Sequence, residues 1–245
     1  PTWFVFENVY GLTKFKNGEE NIQNHIENRF RDIGYTVKSK ILYASDFGVP
    51  QRRNRLFIVG NRNGIDFEFP KEFDYSVSVD EAISDLPVLG NGEIQMKGEY
   101  TVPFEQASPY AQLMRKKSKA PTQNIVSRNK DYVVERYKYI GQGENWSSIP
   151  DRLMENYADK KRCHSGIYKR LIGGKPSVVI SNYRKSMLIH PHQDRGLSVR
   201  EAARLQSFPD HFIFEGPVSY VQQQIGNAVP PLLAKAVMKK ILTYK

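Results

Sequence analysis

The chain has 245 residues, 40% of them hydrophobic and 25% charged, so it can bury one substantial core or a larger and a smaller lobe. No apolar run reaches the ~18 residues of a membrane span and no charged-then-apolar leader opens the sequence, which predicts a cytoplasmic protein with no membrane partner. Its one cysteine, Cys163, excludes an internal disulfide framework, and the net charge of +10 favours a polyanionic partner such as nucleic acid.

Trp3 to Phe6 reads as a short apolar strand that stops at Glu7-Asn8-Val9. A carboxylate at the exit of a core strand is a site candidate, because open parallel sheets bind ligands at the carboxyl ends of their strands. A helix cap or a loop salt bridge is the alternative for Glu7. Ile22, Ile26, Phe30 and Ile33 fall at helical spacing before Gly34, which predicts an amphipathic helix over Glu19 to Ile33. Tyr35 to Tyr43 reads as the second strand. A right-handed crossover would set it alongside Trp3 to Phe6 in the same direction.

Residues 44–50, with Gly48 and Pro50, suit a turn into Gln51 to Gly60, which must return antiparallel. Leu56 to Val59 are apolar without interruption and predict a strand buried on both faces. Alternation puts Arg53 and Arg55 on one side, Arg52 and Asn54 on the other. Paired guanidinium groups beside a core imply an anionic or carbonyl-rich ligand, with a solvated basic turn as the plainer reading. The predicted directions bring Glu7, Arg53 and Arg55 to one edge of the sheet.

Ser78 with Glu81 forms a capping-box pattern that opens a short helix over Val79 to Leu86. Periodicity then weakens. Arg115-Lys116-Lys117-Ser118-Lys119, Lys160-Lys161-Arg162 and Tyr183-Arg184-Lys185 are basic runs, with Tyr132, Tyr137, Tyr139 and Trp146 between them. Each run alone fits a solvated face. Val178 to Ser181 predicts a strand. Cys163-His164 and His190-Pro191-His192 lack zinc-module spacing, so no metal is expected and Cys163 reads as a surface or packing thiol. Ser198 with Glu201 opens a helix through Gln206, Gly226 to Val229 reads as a turn, and Pro231 begins a last helix carrying Leu232, Leu233, Ala236, Val237 and Ile241.

Several of these blocks resemble a known family. Glu7-Asn8-Val9 after an apolar strand, Gln51-Arg52-Arg53-Asn54-Arg55 before another, the run Leu197 to Asp210, and Gln224 to Ala234 are similar, in the same order, to the later part of bacterial DNA (cytosine-5) methyltransferases. The resemblance implies an α/β chain: an incomplete S-adenosylmethionine-dependent methyltransferase sheet of Rossmann-like type with an inserted small DNA-recognition lobe. It implies a catalytic lobe over 1–75, a target-recognition lobe over 76–214, and a return segment over 215–245. Glu7 would hold cytosine N3, Arg55 would hold O2, and Arg53 would order the site. Asn227, Ala228 and Val229 would touch S-adenosylmethionine. Arg200, Glu201 and the region of Gln206 would organise the base of the recognition lobe. Placed between these blocks, the basic runs become candidate phosphate contacts on double-stranded DNA, with Arg115, Lys116, Lys117, Arg184 and Arg200 as the residues assigned.

The family's glycine-rich cofactor loop and Pro-Cys nucleophile precede Glu-Asn-Val, and neither lies in the six residues before Glu7. Cys163 has Arg162 before it and follows the arginine motif. The expectation is therefore a chain inactive alone, completed by a missing N-terminal half or a complementary subunit of a restriction-modification enzyme. The alternative is a DNA-binding module without catalysis.

Overall fold

The computed structural model describes residues 1–17, 20–155, 166–181, 183 and 187–244. The predicted start of the first helix at Glu19, the run Lys160-Lys161-Arg162, the Cys163-His164 pair, and Arg184 with Lys185 lie outside them. Strand β1 (Trp3–Val9) runs three residues beyond its predicted end, because Glu7, Asn8 and Val9 continue to pair with a later strand. A short hairpin, β2 (Lys16–Asn17) and β3 (Glu20–Asn21), leads into helix α1 (Ile22–Asp32). Asn21 caps that helix by accepting a hydrogen bond from the Gln23 amide at 2.8 Å. Strands β4 (Thr36–Tyr43) and β5 (Asn54–Asn61) follow.

The three long strands lie in the order β1-β5-β4, both outer strands antiparallel to β5. β1 and β4 therefore share a direction, as predicted, but they are not neighbours. β5 lies between them. The physical reason is in its side chains, for Leu56, Phe57, Ile58 and Val59 are all buried and demand cover on both faces and both edges. β5 starts at Asn54 rather than Gln51 because the Arg52 amide bonds the Ser177 carbonyl and the Arg53 carbonyl accepts from the Ala44 amide.

One face of this sheet presents Trp3, Val5, Leu42, Phe57 and Val59 to helix α7 (Pro231–Leu242), whose Leu233, Val237 and Ile241 are buried there. Each such side chain contributes roughly 2 kcal/mol of transfer free energy. The other face packs on α1, where Phe30 stacks on Phe4 at 3.9 Å between ring centroids. Phe4 is paired with Gly60, and a Cβ on Gly60 would run into the Phe4 ring. Glycine at that position is what lets the ring lie flat.

The middle of the chain holds helices α2 (Val79–Ile83), α3 (Pro109–Arg115), α4 (Asp131–Tyr137), α5 (Val199–Leu205) and α6 (Val218–Asn227), with a two-stranded sheet of β6 (Ile94–Lys97) and β7 (Thr122–Ile125). Both predicted capping boxes form, at Ser78–Glu81 and Ser198–Glu201. The first opens a helix shorter than predicted. Residues 178–181 form no strand: Ser177 makes a single parallel bridge to Gln51, and the Gln51 side chain accepts from the Ile180 amide at 2.9 Å. With its amide captured by a side chain, this segment has no ladder to extend. Val221 and Ile225 of α6 pack with the middle helices, so the return to the sheet is made by α7.

Glu201 does more than close its box. Its carboxylate receives a two-pronged contact from Arg195 at 2.9 and 2.6 Å, and His190 Nε2 lies 3.7 Å away. Burial alone would raise this carboxyl, but Arg195 and the local hydrogen bonds pull it down to about 2. Burial lowers His190 to about 4, with Arg195 and His192 acting in the same direction and Glu201 and Asp80 opposing. Both groups are depressed in the fold, so both favour the native state at neutral pH. The contribution of these two groups should be flat above pH 6.5, fall through the His190 window toward about 4, and fall again from 4.5 toward about 2 as Glu201 protonates. Each full loss is on the order of 3 kcal/mol. Chemical denaturation as a function of pH measures this, and His190→Gln should remove the upper fall while leaving the lower one.

Candidate active site

Glu7 and Arg55 meet because of register. Val9 stands opposite Arg55 and Phe57 opposite Glu7, which makes Glu7 and Arg55 diagonal neighbours on the same face of the sheet. They continue the row of Trp3, Val5, Phe57 and Val59 toward the carboxyl end of β1, where the apolar face turns ionic. Arg55 Nε lies 2.6 Å from Glu7 Oε1. The N–H is not aligned on that oxygen, which is buried and makes no well-directed hydrogen bond among the described residues. Arg55 Nη1 donates to its neighbour's carbonyl, Asn54 O, at 3.0 Å.

The Glu7 side chain keeps 23% of its surface exposed, so the pair is dry behind and open in front. Burial raises the Glu7 carboxyl, against the opposing pull of Arg55 and then Arg53. The result is a carboxyl shifted toward the neutral form, able to donate as well as accept a hydrogen bond.

Arg53 shares the rim but has different partners. It is 2% exposed, with Nη1 donating to the Ile180 carbonyl at 3.0 Å and Nη2 to the Gly226 carbonyl at 2.7 Å. Burial and then repulsion from Arg55 lower it to about 10, while Glu7 acts against both. Gly226 is the close-packed point of this joint, since any Cβ would collide with the Ser181 carbonyl oxygen. Gln51 completes the joint by donating to Leu205 O at 3.1 Å and Gln206 Oε1 at 2.9 Å, and Gln206 donates to Ile225 O at 2.6 Å. Arg53 is therefore a brace, whereas Arg55, 7% exposed, is held against Glu7 at the rim.

Gly226 and Asn227 belong to the last turn of α6 and not to a free turn, because the Ala228 amide still bonds Gln224 O at 3.1 Å. Asn227 is exposed there, with Ala228 and Val229 half-buried beside it. Among the residues assigned to DNA, Lys116 and Lys117 are exposed. Arg115 and Arg200 are not. Arg115 is buried against Asp85 and Tyr100, and Arg200 donates to Thr122 O, Pro209 O and Phe212 O. A basic residue in a run is legible from sequence, but its burial is not.

Sequence reasoning missed the Gln51–Gln206 clasp, the carbonyl partners of Arg53, and a buried knot in which Arg204 binds Asp210 at 2.7 Å and Asp85 at 2.8 Å. Gln51 did carry a signal, as a polar residue at the mouth of a strand buried on both faces.

This antiparallel three-stranded sheet, with a helix returning over one face and a carboxyl–guanidinium pair at its rim, belongs to an α/β fold of the kind found in DNA methyltransferases. A structure from Escherichia coli, described as a DNA modification methyltransferase encoded within a prophage, superposes with a TM-score of 0.70 at 24% identity, covering 99% of this chain and 69% of that one. The sequence profile of C-5 cytosine-specific DNA methylases matches residues 1–243, and the chain belongs to that family. It is 34% identical to the type II methyltransferase M1.HphI of Haemophilus parahaemolyticus over 99% of its own length and 57% of that protein's. It is 33% identical to M.DdeI of Desulfomicrobium norvegicum over 100% of its length and 63% of that protein's. The chain thus spans about three-fifths of the length of these relatives.

Two substitutions probe the geometry. Gly226→Ala should lower unfolding free energy by about 1–3 kcal/mol, read by denaturant melts, because the new methyl must push Ser181 away and loosen Arg53. Arg55→Gln removes the nearest charge that pulls Glu7 down, so the Glu7 carboxyl should titrate higher than in the unaltered protein, measured by carboxyl infrared absorption.

Proposed function

We propose that this chain forms the later part of a DNA cytosine-5 methyltransferase of a restriction-modification system, acting on a cytosine flipped out of double-stranded DNA. The reading rests on one observation above all: a half-buried carboxyl, shifted toward neutrality, held against a guanidinium at the open rim of a methyltransferase-type sheet. Cytosine C5 is a poor nucleophile. A ring made electron-rich by addition at C6 gathers negative charge at N3 and O2, and hydrogen-bond donors placed at those atoms lower its energy. In this reading Glu7 holds a proton at N3 and Arg55 donates to O2. Arg53 fixes the height of both by tying β5 to the Ile180 and Gly226 carbonyls. Both faces of the ring must be reached, so the base leaves the stack.

S-adenosylmethionine supplies an electrophilic methyl group when bound. Asn227, exposed on the end of a helix that Arg53 and Ser181 pin in place, fits the role of a polar contact, with Ala228 and Val229 giving the apolar side. Lys116 and Lys117 contribute phosphate contacts, and Arg184 joins them in this proposal. The 245 residues contain no Pro-Cys pair. The thiolate and the rest of the cofactor site are supplied by a segment or subunit outside them, and the chain alone is inactive.

Methyl transfer from labelled S-adenosylmethionine to duplex DNA, with and without a polypeptide bearing those motifs, tests this. Transfer is expected only in the mixture, and transfer by the chain alone overturns the missing-nucleophile reading. In the active mixture, Glu7→Gln should lower turnover about 10²- to 10⁴-fold with DNA affinity changed only a few-fold. Equal losses in both would remove Glu7 from N3.

A further inference from the structure

A cleft of about 1020 Å³ opens beside the β6–β7 sheet, and none of the residues of the Glu7 site lines it. Its wall carries Lys97, Lys119 and Glu99, all exposed, and its floor includes Tyr100 and Arg115. Neither lysine has a carboxylate partner among the described residues. Lys97 lies on β6 opposite Thr122, and Lys119 stands three residues before β7 begins, so the two reach the cleft from a strand and from the segment leading into its partner.

The floor is short of negative charge. Arg115 is 7% exposed, its guanidinium lies 3.8 Å over the Tyr100 ring, and its Nε has no hydrogen-bond partner among the described residues. It reaches Asp85 only at 3.4 Å, because Arg204 holds that carboxylate at 2.8 Å. Behind it, Asp85 and Asp210 face Arg115, Arg200 and Arg204: two carboxylates against three guanidinium groups. The Tyr100 hydroxyl donates to Asp210 at 2.6 Å, and burial and Asp210 push the phenol up, so it stays neutral and cannot make good the deficit. A surplus cation at the edge of a core is costly until an anion meets it.

We propose that this cleft receives a backbone phosphate of the bound DNA, contacted by Lys97 and Lys119 within the field of Arg115. The inference rests on the chain acting on DNA, as set out above. An extended polyanion suits the site better than a free oxyanion. The cleft is open, its lysines are flexible point charges on separate segments, and the buried guanidinium lies in its floor.

The test is duplex DNA affinity against salt concentration for the full protein, its Lys97→Ala/Lys119→Ala variant and Glu99→Gln. For one phosphate lost, the double variant should flatten the log–log slope by about 1 and weaken binding to unrelated sequences alike. Glu99→Gln, which removes the one carboxylate on the wall, should tighten binding severalfold, a change that a merely structural residue would not produce. A folded double variant with the slope of the unaltered protein overturns the cleft while leaving the Glu7 reading intact. Protection of the two lysines from acylation by inorganic phosphate, but not by duplex DNA, overturns the DNA assignment. Salt-insensitive or absent DNA binding by the unaltered protein overturns the preceding reading, and this one with it.

Discussion

The structure depends on one buried guanidinium. Arg53 sits where β5 begins and donates to carbonyl oxygens from two segments far away in the chain, Ile180 and Gly226. Neither partner is a carboxylate, so its charge is balanced by aligned peptide dipoles and by Glu7 at longer range. Such a cation is tolerable only when every carbonyl is in place, because an unmet buried charge costs several kcal/mol. The arrangement therefore makes the position of the α6 end, the 177–181 segment and the mouth of β5 a single condition. Gln51 enforces the same condition with neutral hydrogen bonds to Leu205, Gln206 and Ile180. Arg55, two residues on, is left free of these duties and pairs with Glu7 at the open rim.

Much of this was readable in the letters, for identifiable reasons. Four consecutive apolar residues announced β5, and Pro231 with apolar residues at helical spacing announced α7. Ser and Glu three apart announced both capping boxes. Each is a local rule whose physics lies within a few residues. The convergence of Glu7 with the arginines was also legible, because chain direction follows from connection length. What escaped was whatever depends on partners far along the chain. Val178 to Ile180 looked like a strand, but Gln51 takes the Ile180 amide. Arg115 and Arg200 looked like phosphate contacts, yet both are buried among internal acceptors. The crossover rule set β4 directly alongside β1, whereas β5 lies between them.

The middle segment is rigid for a different reason. Arg204 is fully buried and bonded by Asp85 and Asp210 together, with the Ala82 carbonyl as a further acceptor. It ties α5 to α2 and to the loop after α5, so one side chain sets the spacing of three pieces of backbone. Replacing it would leave Asp85 with only Arg115 at 3.4 Å and Asp210 with the Tyr100 hydroxyl at 2.6 Å in a dry core, a larger loss than any one hydrogen bond. The Arg195–Glu201 fork does the same at the other end of α5. Thus a helix of only seven residues is clamped at both ends by ion pairs.

β1 pairs with β5 along one side only among the described residues. Its other side makes no strand pairing among the described residues, the kind of edge that templates a further strand. Glu7 lies on this strand, so any polypeptide zipping onto that edge would be guided, by backbone hydrogen bonding alone, to end beside the carboxyl group. Left uncovered, the same edge would invite copies of the chain to stick to one another. Recruitment and clumping are two outcomes of one unpaired edge.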